Sequence, residues 1–198
     1  MSLATETVAV TIGDDKSQDV LRTSMAMGID RSILVKSSNT LEPLAVAKTL
    51  VKIIEKENPD LVLLGKQAID DDSNQTGQIL SALMNWPQGC FISELKIEDN
   101  KLLISREIDE GIEKLETSLP AVLTCDLRLN TPRFASLPNI MKAKKKPLDI
   151  IEIDTLGIDT ESKIKVLNVV EPPKREAGIM VSDVKELVQK LKYEAKVI

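Results

Sequence analysis

The 198-residue chain contains no histidine at all. An imidazole base, a Ser-His-Asp arrangement and a histidine metal ligand are therefore outside its reach. Aromatics are nearly as scarce: Trp86, Tyr193, Phe91 and Phe134 are all there are. Stacking platforms for bases or for a flat cofactor ring are almost missing, and the core must be aliphatic. Cys90 and Cys125 are the only thiols, in apolar contexts and without Cys-x-x-Cys spacing. That sets aside zinc and redox motifs and points to two inert thiols in a reducing compartment. No apolar run approaches the roughly 18 residues that span a bilayer. The net charge of −5 argues against nucleic acid as a main partner, because phosphate binding rests on cationic surface. The chain is poorly equipped for catalysis.

What is present is an ordinary globular composition, 42% hydrophobic and 29% charged, long enough for one substantial core and an appendage. Short strands that are apolar on both faces, Val8 to Ile12, Ile33 to Val35 and Leu61 to Leu64, alternate with amphipathic helices. Ser17 can cap the first helix and Gly28 can stop it; Pro43 sits in the first turn of the second. This pattern predicts a parallel sheet covered on both sides, with about four parallel-type strands. After Trp86-Pro87 the period changes to alternation: Phe91, Ser93, Leu95 and Ile97, then Leu102, Ile104, Arg106 and Ile108 beyond the turn at Asp99-Asn100. Gly111 starts a third run, so an antiparallel meander is expected. Ala121 to Cys125 reads as a further central strand, and residues 148–153 and 163–170 look extended. Residues 171–178, with Pro172-Pro173, form an arm without regular structure, and a last helix follows Ser182. The fold class is thus α/β, a doubly wound, mostly parallel sheet of the adenine-nucleotide hydrolase-like kind with a meander and a C-terminal arm plus helix. The expected division is 1–160, including a loop at 125–147, and 161–198.

Two stretches carry chemistry. Gly65-Lys66-Gln67-Ala68-Ile69-Asp70-Asp71-Asp72-Ser73-Asn74-Gln75-Thr76-Gly77 leaves the carboxyl end of a buried strand and enters a helix. In open α/β sheets that crevice binds ligands. Free backbone N–H groups at the helix start favour a phosphate, and Asn74, Gln75 and Thr76 add side-chain donors. The glycine spacing is not that of a Walker A loop. A carboxylate about 4 Å from a phosphate oxygen costs about 4 kcal/mol at an effective dielectric near 20. Asp70, Asp71 and Asp72 must therefore turn away, cap backbone donors or meet Lys66. A hard cation and simple turn contacts remain the alternatives.

The second stretch is Arg133 to Pro147. Leu137, Ile140 and Met141 fall at i, i+3 and i+4, Pro138 occupies a first-turn position, and Asn139 lies between. Lys142, Lys144, Lys145 and Lys146 follow before Pro147 ends the helix. One or two turns of helix are not stable alone in water. The segment either packs against its own domain or enters a groove on another protein, with lysines steering an acidic partner.

These two motifs, together with Trp86-Pro87-Gln88-Gly89, Arg106-Glu107-Ile108-Asp109, Asp126-Leu127-Arg128-Leu129-Asn130 and the block from Glu171 to Gly178, closely resemble electron transfer flavoprotein beta subunits from about Thr7 onward. The resemblance implies a heterodimer with an alpha subunit that holds most of the FAD. It also implies one structural AMP in beta, and electron transport from acyl-CoA and related flavoprotein dehydrogenases to a membrane quinone oxidoreductase. It places the AMP in residues 65–76 with Ile12 nearby. It makes Leu137 the anchor on dehydrogenases, Lys142 and Lys145 methylation positions that tune docking, and Glu107 a regulator of flavin-domain mobility. The C-terminal arm and helix would contact alpha. The compartment would be the mitochondrial matrix in a eukaryote and the cytoplasm otherwise, with no metal and no direct membrane insertion. Family members begin with a further strand, loop and helix that add AMP contacts and a residue near the flavin. The chain is therefore expected to be a fragment or a short member, with Met1-Ser2-Leu3 a cloning remnant. The competing reading is a stand-alone adenine-nucleotide-binding module of the universal-stress type.

Overall fold

The computed structural model describes residues 4–175 and 177–198, so the expectation for Met1-Ser2-Leu3 lies outside the described residues. The chain divides into two compact units, one ending at Ser162 and one running Lys163–Ile198. In the first, strands β1 (Val8–Gly13) and β2 (Arg31–Lys36) flank helix α1 (Gln18–Ala26). Helix α2 (Pro43–Glu57) leads to β3 (Leu61–Gly65), and α3 (Thr76–Met84) to β4 (Gln88–Glu98). Then come β5 (Lys101–Ile108), β6 (Gly111–Ser118), β7 (Ala121–Cys125), α4 (Leu137–Ala143) and β8 (Leu148–Glu152).

The strands form two sheets where the sequence pattern suggested one. The first has the order β1-β2-β8, all parallel. The second has the order β3-β7-β4-β5-β6, parallel across β3, β7 and β4 and antiparallel from β4 onward. Six strands are thus of parallel type rather than four. Apolar runs reveal that a strand is covered on its faces, but not which strand lies at its edge. Both faces of β2 are buried: Ile33 and Val35 point one way, Ser32 and Leu34 the other. Asp99 and Asn100 adopt φ of 45° and 66°, the left-handed pair that a tight hairpin requires between β4 and β5.

Helix α2 joins the two sheets. Its Ile53 packs with Ile33 and Val35 of β2, while Ala47 and Ile54 pack with Leu80 of α3 and Val122 of β7. A third aliphatic cluster, Ile92, Leu102, Ile104, Ala121 and Leu123, lies under the meander. Ser17 precedes α1 without capping it; Asp14 instead accepts from the Lys16 N–H at 3.0 Å. Gly28, at φ 128°, stands two residues beyond α1 as expected.

The second unit contains α5 (Val184–Gln189), capped by Asp183 Oδ1 accepting from the Glu186 N–H at 2.8 Å, and a π turn over Lys190–Glu194. Residues 163–170 form no strand, although their alternation is apolar. Ile164, Val166, Leu167, Val169 and Val170 stand exposed.

Candidate functional site

The loop between β3 and α3 is held at both ends. At its start, the Lys66 N–H donates to the Cys125 carbonyl at 3.0 Å, extending the β3–β7 ladder by one rung. At its end, Gly77 allows α3 to begin against β7: a Cβ on Gly77 would lie 2.4 Å from Thr124 Cγ2. The helix start therefore sits at the carboxyl end of a central strand, where open α/β sheets place ligands. The N-cap residue of α3, Gln75, makes no side-chain cap bond. The first-turn N–H groups thus lack a cap from Gln75, and with the helix dipole behind them this favours an anion. Gln78 donates from Nε2 to Asn74 Oδ1 at 3.0 Å, and its own Oε1 is buried with no partner.

The acidic triplet is hydrogen-bonded within its own loop. Asp70 Oδ1 accepts from the Asp71 N–H and Asp71 Oδ1 from the Ser73 N–H, each at 3.0 Å, while Asp72 Oδ1 accepts from Gln67 Nε2 at 2.9 Å. None of these bonds is to Lys66, which was one expected role. Among the described residues, no group of three carboxylates or thiols is gathered as a metal site. Ile69 projects from the loop at 99% exposure, and Ala68 is exposed beside it. Ile12 lies on the first sheet, packed among Ile33, Val35 and Ile53. The expected nucleotide residues are therefore carried by two sheets, with residues 65–76 on the second and Ile12 on the first.

Lys66 instead donates from Nζ to Asp126 Oδ2 at 2.8 Å. Asp126 follows β7 and its side chain is 4% exposed. Its other oxygen accepts from Arg128 Nε at 2.9 Å and from the Arg128 N–H at 3.0 Å. The Arg128 guanidinium, and then the Lys66 ammonium, hold the Asp126 carboxyl well below the usual carboxylate range. Arg128 reaches onward to both oxygens of Glu107, at 2.6 and 2.7 Å. An unbroken salt chain thus runs from the loop to Glu107 at the end of β5. Asp126 and Arg128 were legible only as parts of a matching block. A charged residue placed directly after the apolar Ala-Val-Leu-Thr-Cys strand was the signal that could have singled out Asp126. Cys90 and Cys125 are free, and burial pushes both thiols up.

The second stretch forms α4, with Pro138 in its first turn and N-cap Ser136 making no side-chain bond. Leu137 is 73% exposed, and Ile140, Met141, Asn139, Lys142 and Lys145 are exposed beside it. Ala143 alone of the helix is buried, against Met25 and Ala26 of α1. Sequence reasoning missed Phe134, which stands 95% exposed three residues before Leu137. One of only two phenylalanines in the chain, set three residues before Leu137, was the available clue. Leu137, Ile140 and Met141 are thus apolar side chains left exposed on a helix that also carries exposed lysines, too open to be part of the core.

Comparison with known proteins follows the same lines. The electron transfer flavoprotein domain model matches residues 2–156. An electron transfer flavoprotein subunit beta of Bradyrhizobium diazoefficiens is 53% identical over 195 residues, covering 98% of this chain and 78% of that protein. The mitochondrial subunit beta of Arabidopsis thaliana is 52% identical over 197 residues, with the same coverage of 98% and 78%. The Homo sapiens subunit beta is 52% identical over 194 residues, covering 96% of this chain and 76% of that protein.

Proposed function

Since the chain belongs to the electron transfer flavoprotein family as a beta subunit, an electron carrier rather than an enzyme, we propose that it is the scaffold of a heterodimer that docks redox partners through α4 and holds one structural AMP. The alpha partner carries most of the FAD, which supplies the one- and two-electron chemistry when bound. Electrons pass from acyl-CoA and related flavoprotein dehydrogenases to a membrane quinone oxidoreductase. The compartment is the mitochondrial matrix in a eukaryotic source and the cytoplasm in a bacterial one.

The single observation that carries the docking role is Leu137, an apolar side chain left 73% exposed on a short helix. A leucine in this position stabilises a complex only when a partner covers it. Electron transfer needs brief contact, and one small anchor suits that better than a wide apolar surface. Lys142, Lys144 and Lys145 add charge that speeds encounter with an acidic partner.

Support for AMP comes from the fit of the residues to that molecule. The uncapped start of α3 matches the phosphate, and Lys66 brings a cation to the loop. The unpartnered Gln78 Oε1 is an acceptor of the kind that a ribose hydroxyl or an adenine amino group satisfies. The acidic side chains accept hydrogen bonds from their own loop, which occupies one oxygen of each. Glu107 regulates the flavin-bearing part from the far end of the Asp126–Arg128 salt chain. The exposed apolar run of residues 164–170 and the amphipathic α5 form the surface that alpha covers.

Co-expression of the full chain with an alpha subunit, followed by purification, denaturation and identification of the released small molecules, tests this reading. The expected result is a heterodimer releasing FAD and one equivalent of AMP. A chain that ignores alpha and releases ATP would instead be a free-standing nucleotide module.

A further inference from the structure

Helix α4 is seven residues long and buries one of them, so something other than its own length must fix its direction. The answer lies in two cations that reach across the chain in opposite senses. Arg22, on α1, donates from Nη1 to the carbonyl oxygens of Ala143 at 2.9 Å and Lys146 at 2.7 Å, closing the end of α4. Lys146 donates from Nζ to the carbonyl oxygens of Met25, at 3.1 Å, and Ile29, closing the end of α1. The last turn of α1 contains no basic residue of its own, so Lys146 supplies from elsewhere the cation that a helix C-terminus favours. Arg133, at the other end of the segment, approaches the same collar, with Nη1 3.4 Å from the Met27 oxygen. Met25, Ala26 and Ala143 pack beneath this clasp.

The four lysines therefore do different work. Lys142, Lys144 and Lys145 are exposed, whereas Lys146 is half-buried and turned inward. We propose that Arg22 and Lys146 are positioning residues of the docking helix. By clasping the C-termini of α1 and α4 to each other, they set the direction in which Leu137 is presented, without touching the partner. The proposal rests on the docking role of α4 and adds a residue more than a hundred positions away to it.

The test uses the full chain assembled with its flavin-bearing alpha subunit, reduced by a purified acyl-CoA dehydrogenase over a range of salt concentrations. Lys146→Met, Arg22→Met, Lys146→Arg, Lys145→Met and Leu137→Ala are compared. If losing the clasp leaves α4 correctly aimed about one-tenth of the time, KM for the dehydrogenase rises about tenfold at nearly unchanged kcat. Lys146→Met and Arg22→Met should both show this, with the salt dependence of kcat/KM as steep as in the parent. Lys145→Met should flatten that salt dependence, and Lys146→Arg should restore most of the loss in KM. Amide exchange over residues 134–146 should quicken in both Met variants while β2 and β7 keep their protection. A flattened salt slope in Lys146→Met would make Lys146 one more surface charge and overturn the proposal. So would an unchanged KM in both Met variants while Leu137→Ala still raises it, which would leave the docking role intact. An unchanged KM in Leu137→Ala removes the docking role itself, and this proposal with it.

Discussion

Replacing Gly77 by alanine tests whether the loop proposed to hold AMP depends on the close seating of α3 on β7. The added Cβ would lie 2.4 Å from Thr124 Cγ2, well inside any tolerable contact, and Thr124 is itself buried. Thr124 cannot simply rotate away. Its Oγ1 accepts the N–H of Phe91 at 2.9 Å, and Phe91 already holds a left-handed φ of 47°. Either α3 lifts off the sheet or that hydrogen bond breaks. Overpacking of this kind costs about 1–3 kcal/mol, and the better helix propensity of alanine offsets well under about 1 kcal/mol, because Gly77 lies in the first turn of α3 rather than in its interior. A net loss of about 1–2 kcal/mol is expected in equilibrium urea unfolding. Thr124→Ser removes the colliding methyl and keeps the hydroxyl, so the double variant should recover about 1 kcal/mol relative to the sum of the singles. Nucleotide retention should fall in Gly77→Ala and return in the double variant. A Gly77→Ala protein as stable as the parent, or a double variant that merely sums the two losses, would refute the reasoning.

Two further outcomes are expected. Asp126→Asn leaves Lys66 and Arg128 facing each other without their carboxylate. Because the folded-state pKa of Asp126 is depressed below the ordinary value near 3.9, its stabilisation is complete above about pH 4 and is lost as pH falls through the folded value. The stability gap between parent and Asp126→Asn should therefore be wide at pH 6–7 and narrow progressively as pH falls below about pH 4 toward the folded value in urea titrations, and a gap that grows on acidification would contradict the salt chain. Lys66→Met removes both the loop's cation and its tie to Asp126, so AMP dissociation from the assembled heterodimer should quicken about tenfold; an unaltered off-rate would place the phosphate elsewhere.

How much of this was legible beforehand varied with the range of the interaction. The strands and helices of the first unit followed from apolar runs, hairpin residues and proline positions, because those signals are local. Asp99 and Asn100 at the β4–β5 turn and Pro43 opening α2 are examples. The division into two sheets was not legible, because strand edges are chosen by pairing between segments far apart in sequence. The knob at Leu137 stood out because an apolar i, i+3, i+4 set beside lysines is itself a local pattern. Lys146 was read as one cation among four, since nothing in residues 142–146 says that it turns inward to a carbonyl more than a hundred residues away. The partnership of Lys66 was equally hidden: three aspartates a few residues along offered nearer partners than Asp126, and only the fold brings the end of β7 beside the loop.

The docking of Leu137 is the claim on which the account turns, and stopped-flow reduction of the assembled heterodimer by an acyl-CoA dehydrogenase measures it most directly. Covering the exposed part of Leu137 contributes about 1–2 kcal/mol, so Leu137→Ala should weaken productive docking roughly 5- to 30-fold while the thermal unfolding midpoint stays put. Leu123→Ala, fully buried under the meander, serves as the contrast and should lose about 2–5 kcal/mol of stability. Transfer kinetics in Leu137→Ala indistinguishable from the parent across the dehydrogenase titration would contradict the account.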